Sequence, residues 1–423
     1  MIRFVRNPFT WLTVLFALAW LGVFAYTRSA GLLSFQFVAD GLSGDPFQYD
    51  VLARSLVTSG TFSLDGVTPF FEREPGFSIF LAAIYLLFGV GSHTAVFLAQ
   101  AVLHVAATYV FVRSVKPFLP NHGPAVLFGL LLFSPPVFHT LFSLTRESLA
   151  LSLTMFFTAL SFALLRRPSM WRALLCGAFL GVLIVVNIPL LLFPVGFGAL
   201  LLFWRVPWKH VALSLVVTAA VIAPWGIRNY VHRDMLCLTG CYRAALQWHV
   251  RGEQAEHIPI GSEPAQCLWA EYVSRDWTGR SEFCSFNAVW HAQWPEGFVG
   301  VPEDAAVSRA GQAKILAHLP SYLWFSLFEI LELHLPYVNG WGRIYNLSAI
   351  LWTAIVYLGC ALSVPLLRRK DYLLFAAFIA YATALFALTD ATPRYLVPIL
   401  HCYAFLAVLG YTGLQRLWQK SAS

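Results

Sequence analysis

The sequence predicts an all-α polytopic membrane protein: a bundle of about ten transmembrane helices with helices at the outer membrane surface and a large outer loop. Three observations predict it. The first is composition: 58% of the 423 residues are hydrophobic and only 12% charged, with mean hydropathy +0.67, where a soluble domain carries about 25% charged residues. That excludes an ordinary cytosolic enzyme, a disordered chain and a small disulfide scaffold, because so apolar a surface cannot face water. The second is a series of long uncharged runs. The third is that basic residues cluster between alternate runs.

In order, the runs are 7–27, 75–112, 124–145, 148–165, 173–204, 210–227, 344–367, 372–389 and 395–415. The first follows a short basic stub and, with no clear small-residue cleavage site after it, is expected to be a retained helix. A crossing takes about 20 residues, so 75–112 and 173–204 are too long for one straight span each. The second of these breaks naturally at Asn187-Ile188-Pro189, giving two short crossings, with a single kinked helix as the rival reading. Arg3/Arg6, Arg113/Lys116, Arg166/Arg167/Arg172, Arg205/Lys209, Arg368/Arg369/Lys370 and Arg416/Lys420 are expected on the cytoplasmic side. They hold fourteen of the 28 basic residues, and those segments carry one of the 21 acids, so the net charge of +7 reflects topology and not nucleic-acid binding. Both termini then lie inside. The run 75–112 must cross an odd number of times: an apolar helix at about 76–91 dips in and returns, and one at about 94–112 crosses.

This parity places the loop 28–75, the turn at 142–147 and the long loop 229–320 together on the outer side. The expected organisation is an N-terminal transmembrane module (1–228) containing the catalytic first outer loop (28–75), an outer loop and amphipathic helix (229–338), and C-terminal transmembrane helices (339–423). Cys237, Cys241, Cys267 and Cys284 all fall in the long loop. An even set on the oxidising side suggests two disulfides, paired Cys237–Cys241 and Cys267–Cys284 by chain proximity; four free thiols is the alternative. The same loop carries five of the fifteen Trp residues, which suit either stacking on a ring-shaped ligand or packing in a small subdomain. In 321–338, Glu329, Glu332 and His334 recur at helical spacing on an apolar stretch, as in an amphipathic helix on a surface or lining a cavity.

The first outer loop holds the residues suited to chemistry. Asp45, Tyr49 and Ala53 are spaced to share one face of a short helix, with apolar Phe47, Val51 and Leu52 to lie along the membrane. Arg73-Glu74-Pro75 precedes the dipping helix. An acid can take a proton from an alcohol, and an arginine fork can hold phosphate oxygens. Asp45 also suits an N-cap with Pro46 in the first turn, and both roles are compatible. Glu147, at the outer turn Thr145-Arg146-Glu147, either complements the dipole of the helix it begins or faces Asp45 in a carboxylate pair that could orient an acceptor or a divalent cation. Arg228 and Arg394 end or begin spans at the outer surface, where a local anion or lipid headgroups would account for them.

The ordered set Asp45-x-x-x-Tyr49-x-x-x-Ala53, Arg73-x-Pro-Gly-Phe-x-x-Phe-Leu-Ala, an acid at Glu147, Pro-Trp-x-x-Arg-Asn at 224–229 and Arg-Tyr-x-x-Pro at 394–398 resembles the GT-C superfamily of membrane glycosyltransferases. Within it, the set most resembles the branch of protein O-mannosyltransferases and the lipid A aminoarabinose transferase. The resemblance implies a GT-C-type bundle in a bacterial inner membrane with its active site facing the periplasm. It implies inverting transfer from a polyprenyl-phosphate sugar to a glycan, lipid or protein acceptor. Asp45 would be the general base, with Glu147 opposite it. Arg73, Arg228 and Arg394 would hold the donor phosphate, and Tyr49, Glu74 and Tyr395 would line the substrate pocket. A divalent cation is the one cofactor candidate. The chain departs from many relatives in having Asp45-Pro46 where they carry two adjacent acids, and Arg73-Glu74-Pro75 where they carry a basic residue before paired prolines. The first departure weighs against a tight metal site. An O-antigen-ligase-like transferase, with its essential residues in the long loop, and a non-enzymatic lipid or glycan transporter are the alternatives.

Overall fold

The structure is a computed structural model that describes residues 7–29, 45–120, 122–233, 237–239, 248, 251–253, 255–256, 305–334, 343–366, 372–389 and 393–421. Its helices are α1 (Pro8–Ser29), α2 (Asp45–Thr58), α3 (Pro75–Phe88), α4 (His93–Val115), α5 (Gly123–Leu132), α6 (Pro135–Leu141), α7 (Glu147–Arg166), α8 (Met170–Val186), α9 (Phe193–Phe203) and α10 (Trp208–Arg233). After the long loop come α11 (Ala305–Ala317), α12 (Leu319–Leu333), α13 (Arg343–Ser363), α14 (Leu373–Thr389) and α15 (Leu400–Ser421). Among the described residues the only β-pairing is an isolated bridge between Ser63 and Pro69. The protein is an all-α, multi-pass membrane protein.

Among the described residues six helices are long and apolar enough to cross a membrane, and the pair α5–α6, bent by 47°, makes a seventh if it is one span. Pro135 and Pro136 follow the break, where a missing N–H and a fixed φ end the first helix. Shorter apolar helices occupy the rest of the runs expected to cross. The run 173–204 is broken where Asn187-Ile188-Pro189 predicted: α8 stops at Val186, and a 3-10 turn over Ile188–Leu192 leads into α9. The run 75–112 divides into α3 and α4 at Gly89–Ser92, with Gly89 and Gly91 at φ +94° and +79°, where a side chain would be strained.

The chain forms two compact units. The first comprises Met1–Leu238, Trp352–Ile379 and Val397–Ser423. In it α8 lies along α10 through Gly177 and Gly181, one turn apart. A Cβ on Gly177 would stand 2.2 Å from the Ser214 carbonyl oxygen, and one on Gly181 would stand 2.6 Å from Val221 Cβ. Small residues at this spacing let membrane helices close to backbone contact. Thr218 then donates to the Gly177 carbonyl at 3.0 Å. Phe157, Phe193, Phe197 and Phe378 fill the core beside them, with Phe193 and Phe378 stacked at 4.3 Å.

The second unit comprises Thr239–Leu351 and Ala380–Leu396. Here Glu329, expected on an amphipathic helix at a surface or lining a cavity, is 1% exposed and accepts from Arg251 at 2.8 Å. An acid at helical spacing is pulled inward when a buried guanidinium meets it, and Arg251 comes from the long loop, far away in sequence. His334 hydrogen-bonds the Ile330 carbonyl at 2.7 Å. The side chain of Glu332 lies outside what is described.

Candidate active site at three helix N-termini

Three helix N-termini carry the acids of the site. Asp45 begins α2, Glu74 caps α3, and Glu147 begins α7. Each is placed where the helix dipole favours a negative charge. Two of these acids directly follow an arginine, Arg73 and Arg146, and the arginines cross over to other acids. Arg73 Nη2 lies 2.5 Å from Asp45 Oδ1, and Arg146 Nη1 donates to Glu74 Oε1.

Tyr49 stands at the centre. It is 1% exposed, packs edge-on against Phe77 at 5.2 Å, and donates its hydroxyl proton to Glu74 Oε2 at 2.9 Å. Burial pushes the phenol above its ordinary value. Arg146 and Arg73 oppose that rise, and Asp45 and Glu147 add to it. Four charged groups from three segments therefore lie within electrostatic reach of one hydroxyl. Arg73 is held from behind: its Nε donates to Gln48 Oε1 at 2.5 Å, and its guanidinium carbon is 5.7 Å from the centre of the Tyr49 ring. The Pro75-Gly76 pair starts α3 under the end of α8. A Cβ on Gly76 would stand 2.8 Å from Val186 N, so only glycine lets α3 seat there.

The apolar residues of α2 were expected to lie along the membrane. Leu52 instead is fully buried, and Phe47 and Val51 are half-buried, because α2 packs on α3. Further along α2, Asp50 forms a second cluster. It accepts from Arg54 Nε at 2.7 Å, from the Tyr85 hydroxyl, and pairs with His93 Nε2 at 3.0 Å. Burial works against its charge, but the hydrogen bonds from His93, Tyr85 and Arg54 prevail and hold its carboxyl below the ordinary range.

Arg228 sits in a cage of Phe71 (4.5 Å), Trp225 (4.8 Å) and Phe62 (5.8 Å). Its Nη1 donates to the Phe70 carbonyl at 3.0 Å and to Asn229 Oδ1 at 2.8 Å, and its Nη2 donates to the Phe62 carbonyl at 3.4 Å. It thus ties the far end of α10 to the loop that delivers Arg73. Arg394 and Tyr395 belong to the second unit. There the guanidinium lies 5.4 Å from the Tyr395 ring, which stacks on Phe386 at 4.9 Å.

Of the residues singled out from the sequence, Asp45, Tyr49, Arg73, Glu74 and Glu147 come together. Arg146 and Gln48 were missed. The signal for Arg146 was the Arg-Glu doublet, which heads two helices at 73–74 and 146–147. Among the described residues no group of three or more His, Cys, Asp and Glu is placed to hold a metal ion. Asp45 and Glu74 are instead met by guanidinium groups, so these acids do not fit a divalent-cation site. Among the described residues the free thiols are Cys176, Cys360 and Cys402, and Cys237 is not one of them. Cys241, Cys267 and Cys284 lie outside the described residues.

No protein-family model matches the chain, and no curated protein matches it. Solved structures similar to it include ArnT from Cupriavidus metallidurans bound to undecaprenyl phosphate. The likeness is 17% identity, covering 95% of this chain and 77% of that one, at a TM-score of 0.40. The archaeal oligosaccharyltransferase AglB from Archaeoglobus fulgidus, in complex with an inhibitory peptide and a dolichol-phosphate, is 12% identical. That match covers 94% of this chain and 51% of AglB at a TM-score of 0.45. Both fall in the GT-C superfamily that the sequence motifs resemble.

Proposed function

We propose that the protein is an inverting GT-C glycosyltransferase that moves a sugar from a polyprenyl-phosphate donor to an acceptor hydroxyl at the non-cytoplasmic face of a bacterial inner membrane. The observation that carries this reading is the Asp45–Arg73 pair beside Tyr49, Glu74, Arg146 and Glu147 at converging helix N-termini in an apolar bundle. A carboxylate and guanidinium groups held this way supply a base for a hydroxyl and a cradle for a phosphate. A lipid-borne donor also suits a site outside the membrane, where nucleotide sugars are not supplied.

In this reading Asp45 takes the acceptor's proton while its oxygen bonds the sugar carbon. The bond from that carbon to the phosphate oxygen breaks with its electron pair, and Arg73 offsets the charge left on the lipid phosphate. Glu74 and Tyr49 keep Arg146 beside the pocket, and Glu147 faces it from α7. Arg228 braces the loop that carries Arg73 through the Phe62 and Phe70 carbonyls. Peptide mapping without reduction tests the expected disulfides Cys237–Cys241 and Cys267–Cys284.

The test is mass analysis of envelope glycans from a deletion strain. A glycan mass should disappear, return with the wild-type gene, and stay absent with Asp45→Asn expressed at equal level. Identical profiles with and without the gene, or full restoration by Asp45→Asn, would overturn the reading.

A further inference from the structure

Asp45 holds the guanidinium that the proposed donor would need. Arg73 is fixed at its Nε end by Gln48, so its Nη edge is the part that can change partner without moving the side chain. On that edge sits Asp45, at 2.5 Å. Asp45 is also the more accessible acid: its side chain is 23% exposed, against 8% for Glu74, which Tyr49 and Arg146 grip together. A carboxylate that already holds a guanidinium accepts a proton less readily than a bare one. An arginine fork, in turn, matches phosphate oxygens at least as well as a carboxylate.

We propose that Asp45 and the phosphate of the incoming lipid donor compete for Arg73, so that donor arrival releases the carboxylate to act as base. The proposal rests on the transferase reading and adds an order of events to it. With no donor, Asp45 is paired and the acceptor hydroxyl meets a weak base. When the donor phosphate takes the Nη edge, Asp45 swings free and accepts the hydroxyl proton as the sugar transfers. The leaving lipid phosphate, now a monoester with more negative charge, keeps Arg73 until it departs. Arg73 then returns to Asp45, and the proton on the carboxyl passes to water, which restores the resting pair.

The experiment measures binding alone. Purified full-length protein is titrated with a polyprenyl phosphate, and with the corresponding polyprenol as control, in wild type, Asp45→Asn, Arg73→Ala and the double variant. Competition predicts that Asp45→Asn binds at least about two- to fivefold tighter than wild type, the floor set by exposed ion pairs, since this pair is mostly buried. Arg73→Ala should bind about tenfold weaker. In the Arg73→Ala background the gain from Asp45→Asn should vanish. Equal or weaker binding by Asp45→Asn overturns the proposal. So does a gain that persists without Arg73, which would be through-space charge repulsion only. If wild type prefers the phosphate no more than the polyprenol, the donor reading itself fails, an outcome distinct from the other two. The melting temperature of each variant, with Asp45→Ala as a second substitution, separates binding effects from misfolding.

Discussion

Helix α2 carries two acid–arginine clusters, and the contrast between them shows what separates a structural carboxylate from a reactive one. Asp50 is saturated: an arginine from its own helix, a tyrosine from α3 and a histidine from α4 converge on it, and none of these is a site residue. Its negative charge is spent on locking three helices together. Asp45, at the start of the same helix, has its charge met from the loop end by Arg73, and it stands beside a second crossed pair, Arg146 with Glu74. Its partner is also the group best suited to bind an anion. Location on the helix matters less than who else holds the partner.

Breaking Asp45 should therefore hit chemistry hardest. Asp45→Asn is expected to cut turnover by about 10²–10⁴-fold with little change in melting temperature, read by steady-state kinetics once the donor is known. Next is Arg146→Ala, which leaves Glu74 buried without its cation and should lower stability by about 3 kcal/mol, measured by thermal unfolding in detergent. Asp50→Asn sharpens the contrast from the other side: it should lower stability by about 2 kcal/mol, the scale of hydrogen bonds to a charged group, while turnover per folded molecule changes far less than in Asp45→Asn.

The pH dependence follows the same division. The folded-state pKa of Asp50 lies below its unfolded value, because the hydrogen bonds of His93, Tyr85 and Arg54 outweigh the opposing effect of burial. Its stabilisation is therefore present above the unfolded value and is lost as pH falls through the folded one. Wild type should lose melting temperature on acidification below about 4, and Asp50→Asn should show a flatter slope there. Gly76→Ala, whose methyl group would meet the backbone at the end of α8, should cost about 2–3 kcal/mol and shift α3 under the site.

Much of this was legible in the residues, for local reasons. Uncharged runs marked the spans, Asn187-Ile188-Pro189 marked a helix break, and the Asp45-Tyr49-Ala53 spacing placed a helix in the first loop. What stayed hidden depends on partners distant in the chain. Arg146 reads as one basic residue at a turn until Glu74, 72 residues earlier, is brought to it. Glu329 looks like a surface acid until Arg251 meets it 78 residues away. Leu52 looks lipid-facing until α3 covers it. Periodicity reveals which face of a helix is apolar, and only tertiary packing decides whether protein or lipid lies against it.

The claim at the centre is that a lipid phosphate lands on Arg73 beside Asp45. A polyprenyl phosphate carrying a photoreactive group next to its headgroup, crosslinked to the purified protein and mapped by peptide mass analysis, tests it directly. The account predicts adducts within residues 45–77 and 142–150 that are competed by unlabelled polyprenyl phosphate and lost in Arg73→Ala. Adducts confined to other segments, or labelling unchanged in Arg73→Ala, would contradict it.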